Sequence, residues 1–327
     1  MNLDGSGPSV PYEQSLQLIV NNTFADRNNF PVTKAHVAFG TLVLLSAIIF
    51  WKTLGEWIAY SVHNESGSHL ILIPLISAFL LFKERHRIFS SARPAIVTGI
   101  SVTLMGVAFH WLAIRNASSW QGGESLTVAI LGIVLIWAGG FLSFYGLAAA
   151  RAAAFPLIFL VLMVPLPDKV LSWTIHSLQQ GSTEVAYLFF NAVHVPVLRN
   201  GFVLSLPGVT IEVAEECSGI RSSIALFITC LLAAYLYLRT PWKILAFILM
   251  VFPLAVVKNG IRIVTLTLLS IYVDPGFLYG NLHREGGFVF FLLALLLLFP
   301  VFVALERSER HRPSANTAQP ANGIARA

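Results

Sequence analysis

The sequence predicts an all-α membrane protein with about eight spanning helices. Of its 327 residues, 56% are hydrophobic and only 11% are charged, and the mean hydropathy is +0.74. A soluble domain carries about a quarter charged residues because its surface faces water. Long apolar runs also alternate with short polar links, which is the pattern of segments that cross a bilayer. Helices are the expected spanning element, since backbone groups in lipid must bond within their own segment.

The apolar runs define the predicted spans, and most are close to the ~20 residues that a helix needs to cross the hydrocarbon. They lie at 37–60, 66–82, 95–114, 125–146, 148–166, 219–238, 242–272 and 286–305. The run at 242–272 is long for one crossing and contains Lys258, Asn259 and Arg262. Two crossings there would give nine spans and place the basic C-terminal tail outside the cell, against the positive-inside rule. We therefore expect one tilted or broken helix.

The spans together form a predicted transmembrane domain over residues 36–305. Residues 1–35 are polar and have no apolar core of a cleavable signal, so we expect a flexible cytoplasmic arm and targeting by the first span. Residues 306–327 are expected to form a disordered basic tail.

Basic residues predict the orientation of these spans. They gather in alternate links and in the tail, at Lys83, Arg85, Arg87, Arg93, Arg151, Arg239, Lys243, Arg307, Arg310 and Arg312. The positive-inside rule places these links and both termini on the cytoplasmic side of the membrane. The net charge of +5 is then explained by basic residues that mark the cytoplasmic links, and not by a surface that binds phosphate groups. We therefore expect lipid as a partner and no nucleic acid.

The segment 167–218 is the largest region predicted outside the membrane plane, on the outer side. Residues 170–193 mix polar and apolar side chains and are expected to form an amphipathic helix on the outer leaflet. Two short β-prone runs, 202–206 and 209–214, flank Pro207-Gly208, which predicts a hairpin. The hairpin leads the chain to Cys217.

Three chemically distinct side chains fall on the predicted outer face. Cys217 opens the sixth span, Arg262 lies near the outer end of the seventh, and His283 precedes the eighth. Cys217 stands in a polar stretch at a helix start, where backbone dipoles favour a thiolate. Cys230 has apolar neighbours and is expected to be a small core residue. On one helix the two sulfurs would be roughly 20 Å apart, beyond disulfide reach.

Each of the three residues also has a less specific interpretation. A cysteine in a span is usually an apolar filler, an arginine near a span end often only extends to the interface, and a lone loop histidine is usually incidental. Ionisable groups at membrane depth are nevertheless more often functional.

The chain resembles the exosortase family, membrane enzymes that process PEP-CTERM proteins. The resemblance starts at SH (68–69) and continues through FPLIF (155–159), PLP (165–167), VPVLRNG (195–201), VAEECSGIRS (213–222), NGIR (259–262) and His283 with Gly287. It covers roughly 240 residues in matching order, and the block around Cys217 is its most specific part. The residue before the cysteine is often small in the family, whereas it is Glu216 here.

The resemblance implies a cysteine transpeptidase with Cys217, Arg262 and His283 as its catalytic residues. Cys217 would attack a backbone carbonyl in the C-terminal sorting signal of an exported protein, His283 would transfer protons, and Arg262 would hold the oxyanion. The thioester would pass to an acceptor linked to exopolysaccharide or lipid. The implied substrate signal combines a motif, a transmembrane helix and a basic tail. Neither cofactor nor metal is expected, and His110, His176 and His194 lack a metal-ligand spacing.

Five further residues are candidates for substrate binding or for supporting the site: His69, Glu216, Ser218, Arg221 and Asn259. His69 matches the family, and a structural role for it is as plausible as contact with the substrate. Asn259 either bonds to backbone near a break in the seventh span or orients Arg262. Arg221 either binds the substrate terminus or pairs with Glu215 or Glu216.

The alternative function is an exopolysaccharide polymerase, flippase or transporter. Such proteins distribute charges through several spans that line a path at the membrane midplane. Here spans one, three and four are almost free of charge, and the ionisable groups gather at one face. Intramembrane serine and aspartyl proteases are excluded, because the sequence has no Gly-x-Ser-x-Gly motif with a histidine partner and no paired intramembrane aspartates.

Overall fold

The computed structural model describes residues 32–90, 92–120, 123–278 and 287–310. Most of this part is helical, and we number the α-helices and strands in chain order. The helices are α1 (Val32–Ile49), α2 (Trp51–His63), α3 (Leu72–Lys83), α4 (Arg85–Phe89), α5 (Ile96–Arg115), α6 (Glu124–Ala152), α7 (Ala154–Phe159), α8 (Asp168–Ala192), α9 (Ile220–Tyr237), α10 (Pro241–Leu249), α11 (Val251–Tyr272) and α12 (Gly287–Arg310). The strands are β1 (Leu198–Asn200), β2 (Val203–Leu206) and β3 (Val209–Glu212).

Six helical segments in the described part are long and apolar enough to cross a membrane. They are Glu65–Lys83, Ile96–Arg115, Glu124–Ala152, Ile220–Tyr237, Pro241–Tyr272 and Gly287–Arg310. Two broken pairs of helices, Thr33–Ile49 with Trp51–His63 and Ala154–Met163 with Asp168–Ala192, raise the number to as many as eight. The predicted all-α, multi-pass membrane protein is therefore confirmed.

Several predicted span boundaries were wrong. The first span, predicted at 37–60, consists of α1 and α2, which are bent by 80° at the break between them. The fourth span extends to Ala152, so the run at 148–166 does not form a separate straight helix. Its second half is the short α7 followed by a 3-10 turn, Leu160–Met163, ahead of Pro165 and Pro167. Proline lacks the amide that a continuing helix would need.

The kink inside α6 has an identifiable cause at Gly146. This residue has a φ of 79°, a backbone conformation that favours glycine. A Cβ at this position would lie 1.6 Å from the carbonyl oxygen of Arg93. The amide of Arg93 also donates to the carbonyl of Tyr145 at 3.0 Å. The backbone ahead of α5 thus occupies the space that any side chain at 146 would need.

The chain forms two compact units, which in the described part comprise 32–63 with 70–167 and 64–69 with 168–310. In the first unit, α5 and α6 approach closely through glycines. A Cβ at Gly106 would lie 2.6 Å from the carbonyl oxygen of Gly132, and one at Gly139 would lie 2.5 Å from the amide of Thr103. Small residues at such contacts let two membrane helices pack backbone to backbone.

In the second unit, α8 packs along α11 and the strands form an antiparallel sheet of order β1-β2-β3. The predicted amphipathic helix and hairpin are both present, and β1 adds a strand that was not predicted. The run at 242–272, expected to form one tilted or broken helix, forms one candidate span, Pro241–Tyr272, that consists of α10 and α11. A core cluster from α8, the sheet and α11 lies beside Cys217, with Phe190, Leu204 and Val213 among its buried members.

The two ends of the described chain differ slightly from the predicted boundaries. α1 begins at Val32, inside the predicted N-terminal arm, and α12 continues past residue 305 to Arg310. The remainder of the predicted arm and tail lies outside the described residues.

Candidate active site

A pocket in the second unit brings together Cys217 and Arg262. Its wall is formed by the end of β3, the Cys217 turn and two turns of α11, with the lining residues Ile211, Glu212, Val213, Cys217, Arg262, Ile263, Leu266 and Thr267. Most of this wall is apolar, and both Cys217 and Arg262 are half-buried. A partly enclosed pocket of this kind strengthens the interaction between a fixed cation and a developing negative charge.

The Cys217 turn follows directly from β3. Glu215–Ser218 forms a single 3-10 turn, in which the amide of Cys217 donates to the carbonyl of Ala214 at 2.9 Å. Gly219 then adopts a φ of 73° and caps α9. Any other residue would be strained in this conformation, and its Cβ would lie 2.8 Å from Oδ1 of Asn259. Gly219 thus allows the cysteine to stand just before the helix N-terminus, close to where the sequence predicted it.

Asn259 attaches this turn to α11. Its Nδ2 donates to the carbonyl oxygen of Cys217 at 2.8 Å and to the hydroxyl of Ser182 at 3.0 Å. Asn259 and Ser182 are both fully buried. Of the two roles considered for Asn259, bonding to backbone is the one observed, but the carbonyl belongs to the cysteine and not to a break in α11.

Gln179 holds the chain on the other side of the turn. Its side-chain amide donates to the carbonyl oxygen of Val213, where β3 ends. Thr183 in turn donates to the carbonyl of Gln179 within α8. The buried polar face of α8 therefore fixes both the entry to the Cys217 turn and, through Ser182 and Asn259, its backbone.

A buried cation lies next to the same turn. The ammonium group of Lys258 donates to the hydroxyl of Ser222, and the residue is 1% exposed. Ser222 itself donates to the carbonyl of Gly219 at 3.1 Å. Arg262 lies one helical turn further along α11 and is close enough to Lys258 for their positive charges to interact.

Glycine on both helices permits the close approach of α8 and α11. A Cβ at Gly260 would lie 2.5 Å from Cγ1 of Val185, and one at Gly181 would lie 2.9 Å from Cγ1 of Val256. Larger residues would separate the helices, and the hydrogen bond between Ser182 and Asn259 spans this contact. Helix packing and site geometry are thus coupled.

Two buried oxygen atoms at the site have no hydrogen-bond partner among the described residues, Oγ of Ser218 and Oδ1 of Asn259. Both residues are fully buried. Unsatisfied buried acceptors are rare in folded proteins, and a site of chemistry is one of the places where they persist.

The remaining predicted site residues are less closely connected to this pocket. His283 lies outside the described residues, and so does the side chain of Glu216. Arg221 is exposed in the first turn of α9 and makes no ion pair with Glu215. His69 follows a 3-10 turn, Glu65–Gly67, that packs against α9, and it is not part of the pocket lining.

Cys230 occupies the position expected from the sequence. It is 2% exposed in a separate core cluster with Leu226, Phe247 and Leu298. Both cysteines lie in the described part, and neither forms a disulfide. Cys230 therefore provides an internal comparison for any test of Cys217.

Several residues at the site were not predicted as such from the sequence, namely Gln179, Ser182, Ser222 and Lys258. A signal was present for three of them, Gln179, Ser182 and Lys258. The polar run from Gln179 to Thr183 interrupts an otherwise amphipathic helix, and Lys258 is a charge in an apolar run. No group of three or more His, Cys, Asp and Glu side chains in the described ranges is placed to hold a metal ion.

Comparison with known proteins identifies one family. A family model described as transmembrane exosortase matches residues 51–300, a range that contains the pocket, the Cys217 turn and the segment of His283. No curated protein and no solved structure matches the chain.

Proposed function

Because the chain belongs to the transmembrane exosortase family, we propose that it cuts the C-terminal sorting signal of exported proteins with Cys217 as the nucleophile. The observation that carries this proposal is the pocket shared by Cys217 and Arg262. These residues lie on different elements, and an acyl-transfer site needs a nucleophile beside a group that stabilises negative charge.

The reaction begins with the attack of the Cys217 thiolate on a backbone carbonyl of the substrate. A carbon–sulfur bond forms, and the carbonyl oxygen becomes an oxyanion that the guanidinium of Arg262 stabilises. Collapse of this intermediate breaks the peptide bond, leaving a thioester on Cys217. The amine of the released segment takes a proton, which the general acid supplies.

His283 is the proposed acid and base. An imidazole titrates near working pH, so it can accept a proton from the thiol and give it to the leaving amine. This assignment rests on the family resemblance, because the structure does not describe His283. In the second half-reaction the same residue would take a proton from the acceptor nucleophile, which attacks the thioester and regenerates the thiolate.

The supporting residues act through the Cys217 turn. Asn259 holds the carbonyl of Cys217, and Gly219 provides the backbone conformation that places the turn ahead of α9. Lys258 donates to the hydroxyl of Ser222 and so attaches the first turn of α9 to α11. These residues position the site and have no assigned contact with substrate.

The proposed substrates are exported proteins of the PEP-CTERM type, and the proposed acceptor is an exopolysaccharide or lipid group. The site would face the periplasm of the inner membrane, with both termini in the cytoplasm, because the basic links lie on the opposite side of the predicted topology. A substrate held by its own spanning helix would present its signal at this depth.

The first test replaces each cysteine in turn. Cys217→Ala should abolish cleavage of a co-expressed, tagged substrate, since no other described residue offers a thiol in the pocket. Cys230→Ala should retain cleavage near the level of the unmodified protein, because it removes only one small buried group. The measurement is the size shift of the tagged substrate, at matched enzyme levels. Cleavage by the Cys217→Ala protein would refute the assignment.

A further inference from the structure

We propose that the outer edge of β3 binds the substrate segment as an added β-strand that leads into the Cys217 pocket. This inference rests on the proposed function and specifies how the scissile segment is held. The sheet order β1-β2-β3 makes β3 an edge strand, and no described strand pairs with its outer side. An exposed edge of this kind is a template for an extended peptide.

The register of the sheet shows which backbone groups face outward. Val203 pairs with Glu212, and the amide of Val213 donates to the carbonyl of Phe202 at 3.0 Å. Since hydrogen-bonded and non-hydrogen-bonded pairs alternate in an antiparallel ladder, Glu212 belongs to a non-hydrogen-bonded pair with β2. The N–H and C=O groups of Thr210 and Glu212 therefore point away from β2, along the outer edge.

The side chains of β3 are compatible with a strand at this edge. Val209 and Ile211 are half-buried against the core cluster, whereas Thr210 and Glu212 are exposed. Bonds to backbone would hold a substrate segment without demanding particular side chains. Alternate side chains of that segment would lie over the apolar wall or towards solvent.

The position of the edge relative to the nucleophile argues for the substrate as its occupant. Glu212 and Val213 line the same pocket as Cys217 and Arg262. A segment paired with β3 thus continues directly to the thiol, with its backbone extended. Attack on a peptide carbonyl requires such a conformation, because a peptide bond within a helix is shielded by its own hydrogen bonds and side chains.

The first experiment separates the Glu212 amide from the Glu212 side chain. Glu212→Pro removes the outward N–H, and proline is tolerated at edge positions whose amide faces away from the sheet. Glu212→Ala also removes the carboxylate but keeps the N–H. Glu212→Pro should process substrate about 3- to 10-fold more slowly than Glu212→Ala, the loss expected for one main-chain hydrogen bond. Equal rates for the two variants would overturn the inference.

Two control measurements accompany this comparison. Protein level and the rate of Cys217 alkylation by N-ethylmaleimide should be the same in both variants, which shows that the turn is intact. If the unmodified enzyme cleaves substrate while the two variants do not differ, the edge inference fails and the proposed function stands. If the unmodified enzyme cleaves no substrate, the proposed function itself fails.

A second experiment does not depend on turnover or on a proline variant. In a protein with Thr210→Cys, Cys217→Ala and Cys230→Ala, a substrate carrying single cysteines at successive positions before its spanning helix is oxidised in membranes. Crosslinking should peak at one substrate position, be absent at the two positions next to it, and return at most weakly two positions away, because strand side chains alternate between faces and a disulfide reaches only the opposite residue. Equal crosslinking at consecutive positions, or none at any position, would refute strand addition.

Discussion

Asn259 connects the helix that carries Arg262 to the turn that carries Cys217. Its single amide group donates both to the cysteine carbonyl and to Ser182 on α8, all within the buried part of the second unit. A side chain in this position fixes the Cys217 turn relative to the helix that carries Arg262. The geometry of the pocket thus depends on one residue that the family motif places three positions before the arginine.

Replacing Arg262 by lysine tests the kind of contact that its side chain makes. A guanidinium presents a planar pair of donors, whereas an ammonium is a compact charge on a flexible stem. If Arg262 holds the oxyanion, Arg262→Lys should lower the cleavage rate by about 100-fold, as loss of an oxyanion donor does elsewhere. The measurement is the initial rate of substrate cleavage in membranes at equal enzyme level.

A matched control is available on β1. Arg199 forms an ion pair with Glu184 away from the pocket lining, and Arg199→Lys preserves that charge. Its rate should stay within about twofold of the unmodified protein, since such surface pairs contribute little. A fully active Arg262→Lys protein would instead mean that Arg262 only extends towards the interface.

The sequence predicted the pairing of Cys217 and Arg262 and missed the groups around them. Cys217 precedes one predicted span and Arg262 lies about 20 residues into the next, so the predicted topology brings them to one depth. Lys258 and Ser222, by contrast, meet because α9 and α11 pack in a particular rotation about their axes. Helical periodicity does not fix that rotation when a helix is apolar on every side.

At the level of elements, α8 and α11 form the frame of the site. Their contact is tight because Gly181 and Gly260 present no side chain to the opposing helix. The sequence predicted both helices but treated α8 as a surface element. It could not reveal the buried polar face of α8, because that face is polar in sequence and becomes buried only when α11 and the Cys217 turn cover it.

Gly260→Ala is expected to loosen this frame. The added methyl group would lie 2.5 Å from Cγ1 and 2.8 Å from Cβ of Val185, so one helix must shift. Overpacking of this kind typically costs about 1–3 kcal/mol. We expect a lower thermal midpoint in detergent and slower cleavage. Gly287→Ala on α12 is the control, since a Cβ there meets no atom of the described residues within 4 Å, and its midpoint should be unchanged. Equal midpoints for both variants would contradict the role of the α8–α11 contact.

The span boundaries missed from the sequence have a common physical origin. The kink at Gly146 arises where the backbone of Arg93 approaches α6 from a distant part of the chain. Hydropathy shows which apolar segments are long enough to cross the membrane, but it does not show such contacts between segments. The total apolar length was therefore predicted well, whereas its division at 146–168 was not.

The whole molecule is predicted to expose its reactive residues on the periplasmic side. A cysteine at Gly280, in a protein whose native cysteines are replaced, should react with a membrane-impermeant maleimide in intact spheroplasts. Cysteines at Ser91 and Ser314 should react only after the membrane is opened, because they lie beside basic links. Labelling of the position at Ser314 from outside would mean that 242–272 crosses twice or that the orientation is inverted. In either case the proposed catalytic set does not share one face.

The most direct test of the central claim is the mass of the peptide that contains Cys217 during turnover. With substrate present and the reaction stopped by an acid quench, this peptide should carry the substrate residues that precede the cleaved bond, joined to the thiol through their new C-terminal carbonyl. The bond should be labile to neutral hydroxylamine, as a thioester is, and the Cys230 peptide should remain unmodified. Cleavage of substrate with no adduct on Cys217, or with the adduct on another residue, would contradict the account.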